Sequence, residues 1–194
     1  DELISLAYEK FLKTQHDVDA CSKQPFSKRA ELVLQKAACI IEDILGEPPD
    51  DDEIWNNCSF SRRATVGNTY LRSYLDVKLG QDEITGSREH IDWFVNHIGE
   101  YPLLDASLTV PPFTHWRERI KCVLSVPVEV VPKSYKSLRT IRKNTLLGAF
   151  YTSGVGKCIR RRLKERARLN LTTLQKKHRY LVLSMSVIRD LITA

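Results

Sequence analysis

Between Lys133 and Arg179 the chain carries 15 Lys or Arg residues and a single acid, Glu165, a local charge of +14. Like charges at that density repel one another, so this block cannot close into a compact unit unless acids from elsewhere or a bound polyanion neutralise it. The other residues hold 15 basic and 23 acidic side chains, a charge of −8, which is why the whole chain shows only +6. Nucleic acid is the commonest polyanion met by such a block. A solvated helix face is the plainer alternative. An anionic membrane surface fits less well, because the block has no Trp and only Phe150 where an interfacial helix interleaves several such residues.

The 194 residues suffice for one domain or two small ones, and an apolar share of 42% supports a real core. No run approaches the ~18 apolar residues of a membrane span, and no cationic start leads into an apolar run, so neither a membrane helix nor a secretory signal is predicted. Cys21, Cys39, Cys58, Cys122 and Cys158 form no Cys-x-x-Cys pair. Reduced thiols in a cytosolic protein are therefore expected, rather than a disulfide framework or a zinc site. The chain opens at Asp1, its only methionine is Met185, and Ala194 follows an apolar-rich stretch. Both ends read as internal to a longer protein.

Local patterns predict mostly helices. Residues 28–45 carry Leu34, Ala37, Ile41 and Ile44 at helical spacing, an expected buried stripe, with Ser27 as N-cap and Gly46 and Pro48-Pro49 as stop. Asp50, Asp51 and Asp52 suit the negative start of a short helix leading to Ile54 and Trp55 better than a metal site. Residues 59–67 read as a loop, and 87–98 as a helix facing inward through Ile91, Phe94, Val95 and Ile98. His90, His97 and His115 lack paired spacing and are read as surface or packing residues. Pro111-Pro112 marks a turn, dividing the chain into 1–110 and a basic region 111–194. Residues 122–131 are Val-rich and read as a strand, with Pro127 at an edge or bulge. After a basic loop, 146–167 reads as a helix with an apolar face at Leu147, Phe150 or Tyr151, Val155, Ile159 and Leu163. Gly154 and Gly156 there allow close backbone approach. The class is α+β, rich in helix.

The sharpest motif is Val131-Pro132-Lys133-Ser134-Tyr135-Lys136-Ser137-Leu138-Arg139-Thr140-Ile141, with cations three residues apart. In extended chain that spacing departs from the two-residue period of one face, so the side chains fan out. Two ammonium groups and a guanidinium suit the dense charge of a triphosphate, where positioning and neutralisation assist phosphoryl transfer.

Three stretches occur in order: Cys58-Ser59-Phe60-Ser61-Arg62-Arg63-Ala64-Thr65; the Val-Pro-Lys segment; and Gly154-Val155-Gly156 through Arg160 to Leu163, then Leu169-Asn170 and Gln175-Lys176-Lys177. Together they resemble the replicase subunit of leviviruses, the single-stranded RNA bacteriophages. The second resembles the fingertip motif of viral RNA-directed RNA polymerases. Family members often have glycines where Arg62 and Arg63 stand, and an acid and a proline where Asn144 and Thr145 stand.

The resemblance implies the fingers portion of a right-hand polymerase. Lys133, Lys136 and Arg139 are then expected on nucleotide phosphates, with Arg142 and Lys143 extending that path. Lys176, Lys177 and Arg179 would hold template or the fingertip loop. Arg160, Arg161 and Arg162 point about 100° apart on a helix, so one or two of them, Arg160 and Arg162 being the candidates, can share an RNA-facing side. Arg62, Arg63 and Thr65 are further candidates. Contacts of this kind are to the backbone, hence salt-sensitive and weakly sequence-dependent.

The resemblance also implies magnesium or manganese in the complete enzyme, RNA template and nucleoside triphosphates as substrates, host elongation factors Tu and Ts as partners, and the bacterial host cytoplasm as location. Palm aspartates that hold paired metals, and a Gly-Asp-Asp triplet, do not occur in residues 1–194. The isolated chain is accordingly expected to bind no catalytic metal and not to polymerise. Two rival readings are a standalone basic RNA-binding module and a helical protein-interaction domain with an acidic partner.

Overall fold

The computed structural model describes residues 2–23, 25–61, 64–68, 74–126, 128–134 and 137–173. The α+β class holds: among the described residues, helices and two small sheets are mixed along the chain.

Two long helices come first, α1 (Glu2–Ser22) and α2 (Lys28–Leu45). Helix α2 has its predicted bounds. Ser27 Oγ accepts from Ala30 N at 3.3 Å, and Gly46, at φ 64°, donates its N–H to Glu42 O. Its expected buried stripe is a correction. No residue of α2 is buried, and Leu34 and Ile41 are 50% and 55% exposed. The reason is that α2 is fixed at its C-terminal end, where Arg162 reaches the carbonyls of Leu45 and Glu47, while no described residue covers the rest of the stripe.

The core begins at α3 (Asp51–Asn57). The acidic run opens this short helix, as predicted; Asp50 caps it, Oδ1 accepting from Glu53 N at 2.7 Å, and Ile54 and Trp55 are buried. Then come α4 (Leu75–Leu79), β1 (Ile84–Gly86), α5 (Arg88–Ile98) and α6 (Pro102–Leu108). A 3-10 turn (Trp116–Arg119) leads into β2 (Ile120–Cys122). Strand β1 pairs in parallel with β2, Ile84 opposite Ile120, across the Pro111-Pro112 boundary. Ser87 caps α5, which buries Phe94 and Ile98 as its period requires.

Trp55 is the hub of the core. Its ring centroid lies 5.1 Å from Trp93, 5.5 Å from Phe94, 5.4 Å from His97, 5.3 Å from Tyr101 and 5.5 Å from Phe150. Edge-to-face and tilted pairs of this kind add to the apolar burial itself. Beneath the 3-10 turn Arg119 is only 2% exposed and donates to the carbonyls of Leu108, Leu79 and Gln81. Burial lowers its pKa from the ordinary value, and the three carbonyls replace the water it has lost.

The Val-rich stretch corrects a second expectation. Strand β2 stops at Cys122 and a new strand, β3 (Val128–Ser134), follows; residues 123–126 are not strand, and Leu124 is fully exposed among them. Pro127 lies outside the described residues. The segment read as a basic loop is partly strand too. Strand β4 (Ser137–Arg142) pairs antiparallel with β3, Val131 opposite Arg139, with a register shift between Pro132 and Ser134. Tyr8 Oη donates to Val128 O at 3.0 Å, so α1 lies against this hairpin.

Helix α7 (Leu146–Arg166) crosses the core within one residue of its predicted end. Its buried residues include Leu147, Phe150, Gly154 and Cys158. The expected face through Val155, Ile159 and Leu163 is therefore turned, with Ile159 exposed. Gly154 is the cause: a Cβ there would sit 2.5 Å from Ile54 O and 2.6 Å from Cys58 Sγ. Its missing side chain lets α7 meet α3 backbone to backbone. Gly156 makes no such approach, with only Arg160 near it.

Candidate nucleic-acid interface

The first and third of the stretches that carry the family resemblance, with residues just past the end of the second, meet at one cleft of about 400 Å³. Ser59, Ser61 and Ala64 come from the loop after α3. Arg142 and Asn144 come from the end of β4. Ala149, Thr152, Ser153, Lys157 and Arg160 come from α7.

Backbone pairing fixes the rims. Thr65 and Asn144 form an isolated parallel bridge, with Val66 N donating to Asn144 O at 2.9 Å. Thr145, at a departure from the family pattern, is the N-cap of α7: its Oγ1 accepts from Gly148 N at 3.1 Å. On the far side Ser59 N donates to Ser153 Oγ at 2.9 Å, and Lys157 Nζ donates to Ser59 Oγ at 2.9 Å. Buried Lys78 donates to Ser61 O, and burial lowers its pKa.

Arg142, Lys157 and Arg160 are exposed and turn their charge toward this cleft. Its lining holds hydroxyls, an amide and cations, and no carboxylate among the described residues. That set suits an anion with hydrogen-bond acceptors, such as a phosphate. It does not fit magnesium or manganese, which take carboxylate oxygens, and no group of three His, Cys, Asp or Glu is gathered elsewhere among the described residues.

Of the residues singled out in the sequence, Arg142 and Arg160 line the cleft. Lys133 and Arg139 are exposed on the hairpin, Lys133 at the register shift. By strand alternation Arg139 and Arg142 take opposite faces, so the three-residue spacing does not gather its cations in the cleft. Lys143 pairs with Glu129 at 2.7 Å. Arg162, whose side chain is 14% exposed, is held by Glu53 at 2.8 Å and by the Leu45 and Glu47 carbonyls; Arg161 meets the same carboxylate at 2.6 Å. Thr65 is fully buried. Lys136, Lys176, Lys177, Arg179, Arg62 and Arg63 lie outside the described residues.

Lys157 and Ser153 were missed as site residues, although Lys157 stands one helical turn before Arg160. The histidines have local roles: His90 bonds Ser87 Oγ at 2.7 Å, His97 bonds Trp93 O at 2.7 Å, and His115 Nδ1 accepts from Arg117 N at 3.1 Å. Burial pushes the Cys58 thiol up to about 12 and raises that of Cys158, so neither is a ready nucleophile.

The fold and cleft thus define an α+β protein with a cationic, hydroxyl-lined cleft. The chain belongs to the RNA replicase beta-chain family, whose model matches residues 1–193, in keeping with the levivirus resemblance. It is part of a viral RNA replicase, and the family's activity is RNA-directed RNA polymerisation. No curated protein matches the chain. Among the described residues no helix is long and apolar enough to cross a membrane.

Proposed function

We propose that this chain is the fingers portion of the viral polymerase and that the cleft binds phosphates of nucleotide or template RNA. The observation that carries this reading is the convergence of the Ser59 loop, Arg142 and the Lys157–Arg160 turn on one carboxylate-free cleft. Arg142 and Arg160 supply guanidinium forks, and Lys157 a point charge braced by Ser59. Lys133 and Arg139 on the hairpin, with Lys136 between them in sequence, form an outer approach for the triphosphate. The exposure of Lys133 and Arg139 favours capture and steering over a tight grip.

The family's metal chemistry, with magnesium or manganese, is assigned to no residue of this cleft. Residues 1–194 contain no Gly-Asp-Asp triplet, and this chain alone is proposed to bind without polymerising. Elongation factors Tu and Ts remain proposed partners, and the host cytoplasm the proposed site of action.

Fluorescence anisotropy with single-stranded RNA over a salt series tests the reading. An Arg142→Ala/Arg160→Ala variant should weaken binding roughly tenfold or more and flatten the salt dependence by about one to two units of log-log slope. A Lys133→Ala/Arg139→Ala variant should mainly slow association. Unchanged affinity and slope in the first variant, with its fold intact, would sink the cleft as the binding site.

A further inference from the structure

A second groove of about 500 Å³ adjoins the cleft and shares Lys157 and Arg160 with it. Its other α7 residues are Arg161, Lys164 and Glu165, and the turn at Asn170 and Thr172 closes it. Lys157, Arg160, Arg161 and Lys164 follow the i, i+3, i+4, i+7 pattern. At 100° per residue they fall within an arc of about 100°, over a length of about 10 Å. All four are exposed.

Like charges at these spacings destabilise an isolated helix. Among the described residues, only Arg161 of the four meets a carboxylate, Glu53 at 2.6 Å, and Glu165 is the one acid in the groove lining. The stripe carries its charge from the cleft into the second groove, since Lys157 and Arg160 line both.

We propose that the cleft and this groove form one track for the sugar–phosphate backbone of single-stranded RNA, in which Lys164, with Asn170 and Thr172 at the rim, makes a phosphate subsite separate from the one at Arg142. This rests on the reading of the cleft as a phosphate site, and it adds a length requirement. A mononucleotide fills one end, whereas a strand reaches both. Base identity matters little, because the lining offers cations, hydroxyls, two amides and the single acid Glu165 but no aromatic platform among the described residues.

The test uses the full chain with UTP, inorganic triphosphate and oligouridylates from two to about twelve nucleotides. Affinity should rise with oligonucleotide length and then level off. Lys164→Ala should weaken the longer RNAs roughly three- to tenfold and lower the salt slope by about one, while changing UTP and triphosphate affinity less than about twofold. Lys164→Arg should restore RNA binding. Arg142→Ala should weaken UTP and RNA alike. If Lys164→Ala spares long RNA, or weakens UTP as much as RNA, the separate subsite is overturned. If Arg142→Ala changes nothing while Lys164→Ala still weakens RNA, the subsite stands and the cleft reading fails instead.

Discussion

Helices α2 and α7 are of similar length, 18 and 21 residues, yet they stand in opposite relation to the core. Helix α2 has the cleaner apolar stripe and buries nothing. Helix α7 is interrupted by Gly154 and Gly156, is dense in Arg and Lys at its C-terminal half, and crosses the centre of the molecule. A periodic stripe reports that a helix needs a partner; it does not say which surface supplies one. What seats α7 is a gap in its side chains, at Gly154, together with Phe150 and Cys158 above and below it. Charge then assists where α7 leaves the core, since Arg161 and Arg162 close on Glu53 of α3.

The contrast can be tested by substitution. Gly154→Val should have the largest effect. The added carbons meet the Ile54 carbonyl and the Cys58 sulfur with no room to move, so a loss of about 3 kcal/mol or more is expected. That is roughly 6–12 °C in melting temperature for a chain of this size, if the variant folds. A melting curve like the parent's would break the comparison.

Thiol labelling at pH 8 gives the next largest contrast. Cys39 on α2 is exposed and Cys158 on α7 is fully buried, so alkylation should differ at least about 100-fold in rate. Cys58 should be protected too. Its folded thiol keeps a proton that the unfolded thiol releases above 9.0, so its contribution to stability is complete below pH 9 and is lost as pH rises toward 12. Equal labelling of Cys39 and Cys158 in the folded chain would contradict the burial of α7.

Glu53→Gln should cost about 2 kcal/mol in urea unfolding, because the poorly exposed Arg162 loses its carboxylate. The smallest change is expected on α2. Leu34→Ser and Ile41→Ser should each stay within about 0.5 kcal/mol, since both residues remain about half exposed and none of α2 is buried. A cost above about 1 kcal/mol would mean that this stripe is covered in solution, and the two helices would then be alike.

Much of this fold could be read from local signals. Ser27, Asp50 and Ser87 announce helix starts because their side chains bond the first free amides, and all three do so. The β1–β2 pair could not be read. Each strand has three residues, too few for a period, and the pairing joins segments on either side of two intervening helices. The turn of α7's buried face was hidden for a related reason. Glycine and cysteine score weakly as apolar residues, yet at Gly154 and Cys158 a small side chain is what the contact requires.

The site divides in the same way. Arg142 and Arg160 stand out by charge. Ser153 and Asn144 act through backbone geometry that only the folded chain supplies. Lys143 and Arg162 looked equivalent to their neighbours until Glu129 and Glu53 arrived from distant segments.

Ser59 and Ser153, which brace the cleft, are 94 positions apart. The cleft therefore closes a long loop, and the entropy of that closure opposes its formation until the aromatic core is in place. The rims depend on that core for their closure. A ligand that binds only the closed cleft favours it by mass action, adding about 2.7 kcal/mol when present at a hundred times its dissociation constant. Under the phosphate reading proposed for the cleft, single-stranded RNA would thereby help to complete the assembly of its own binding surface.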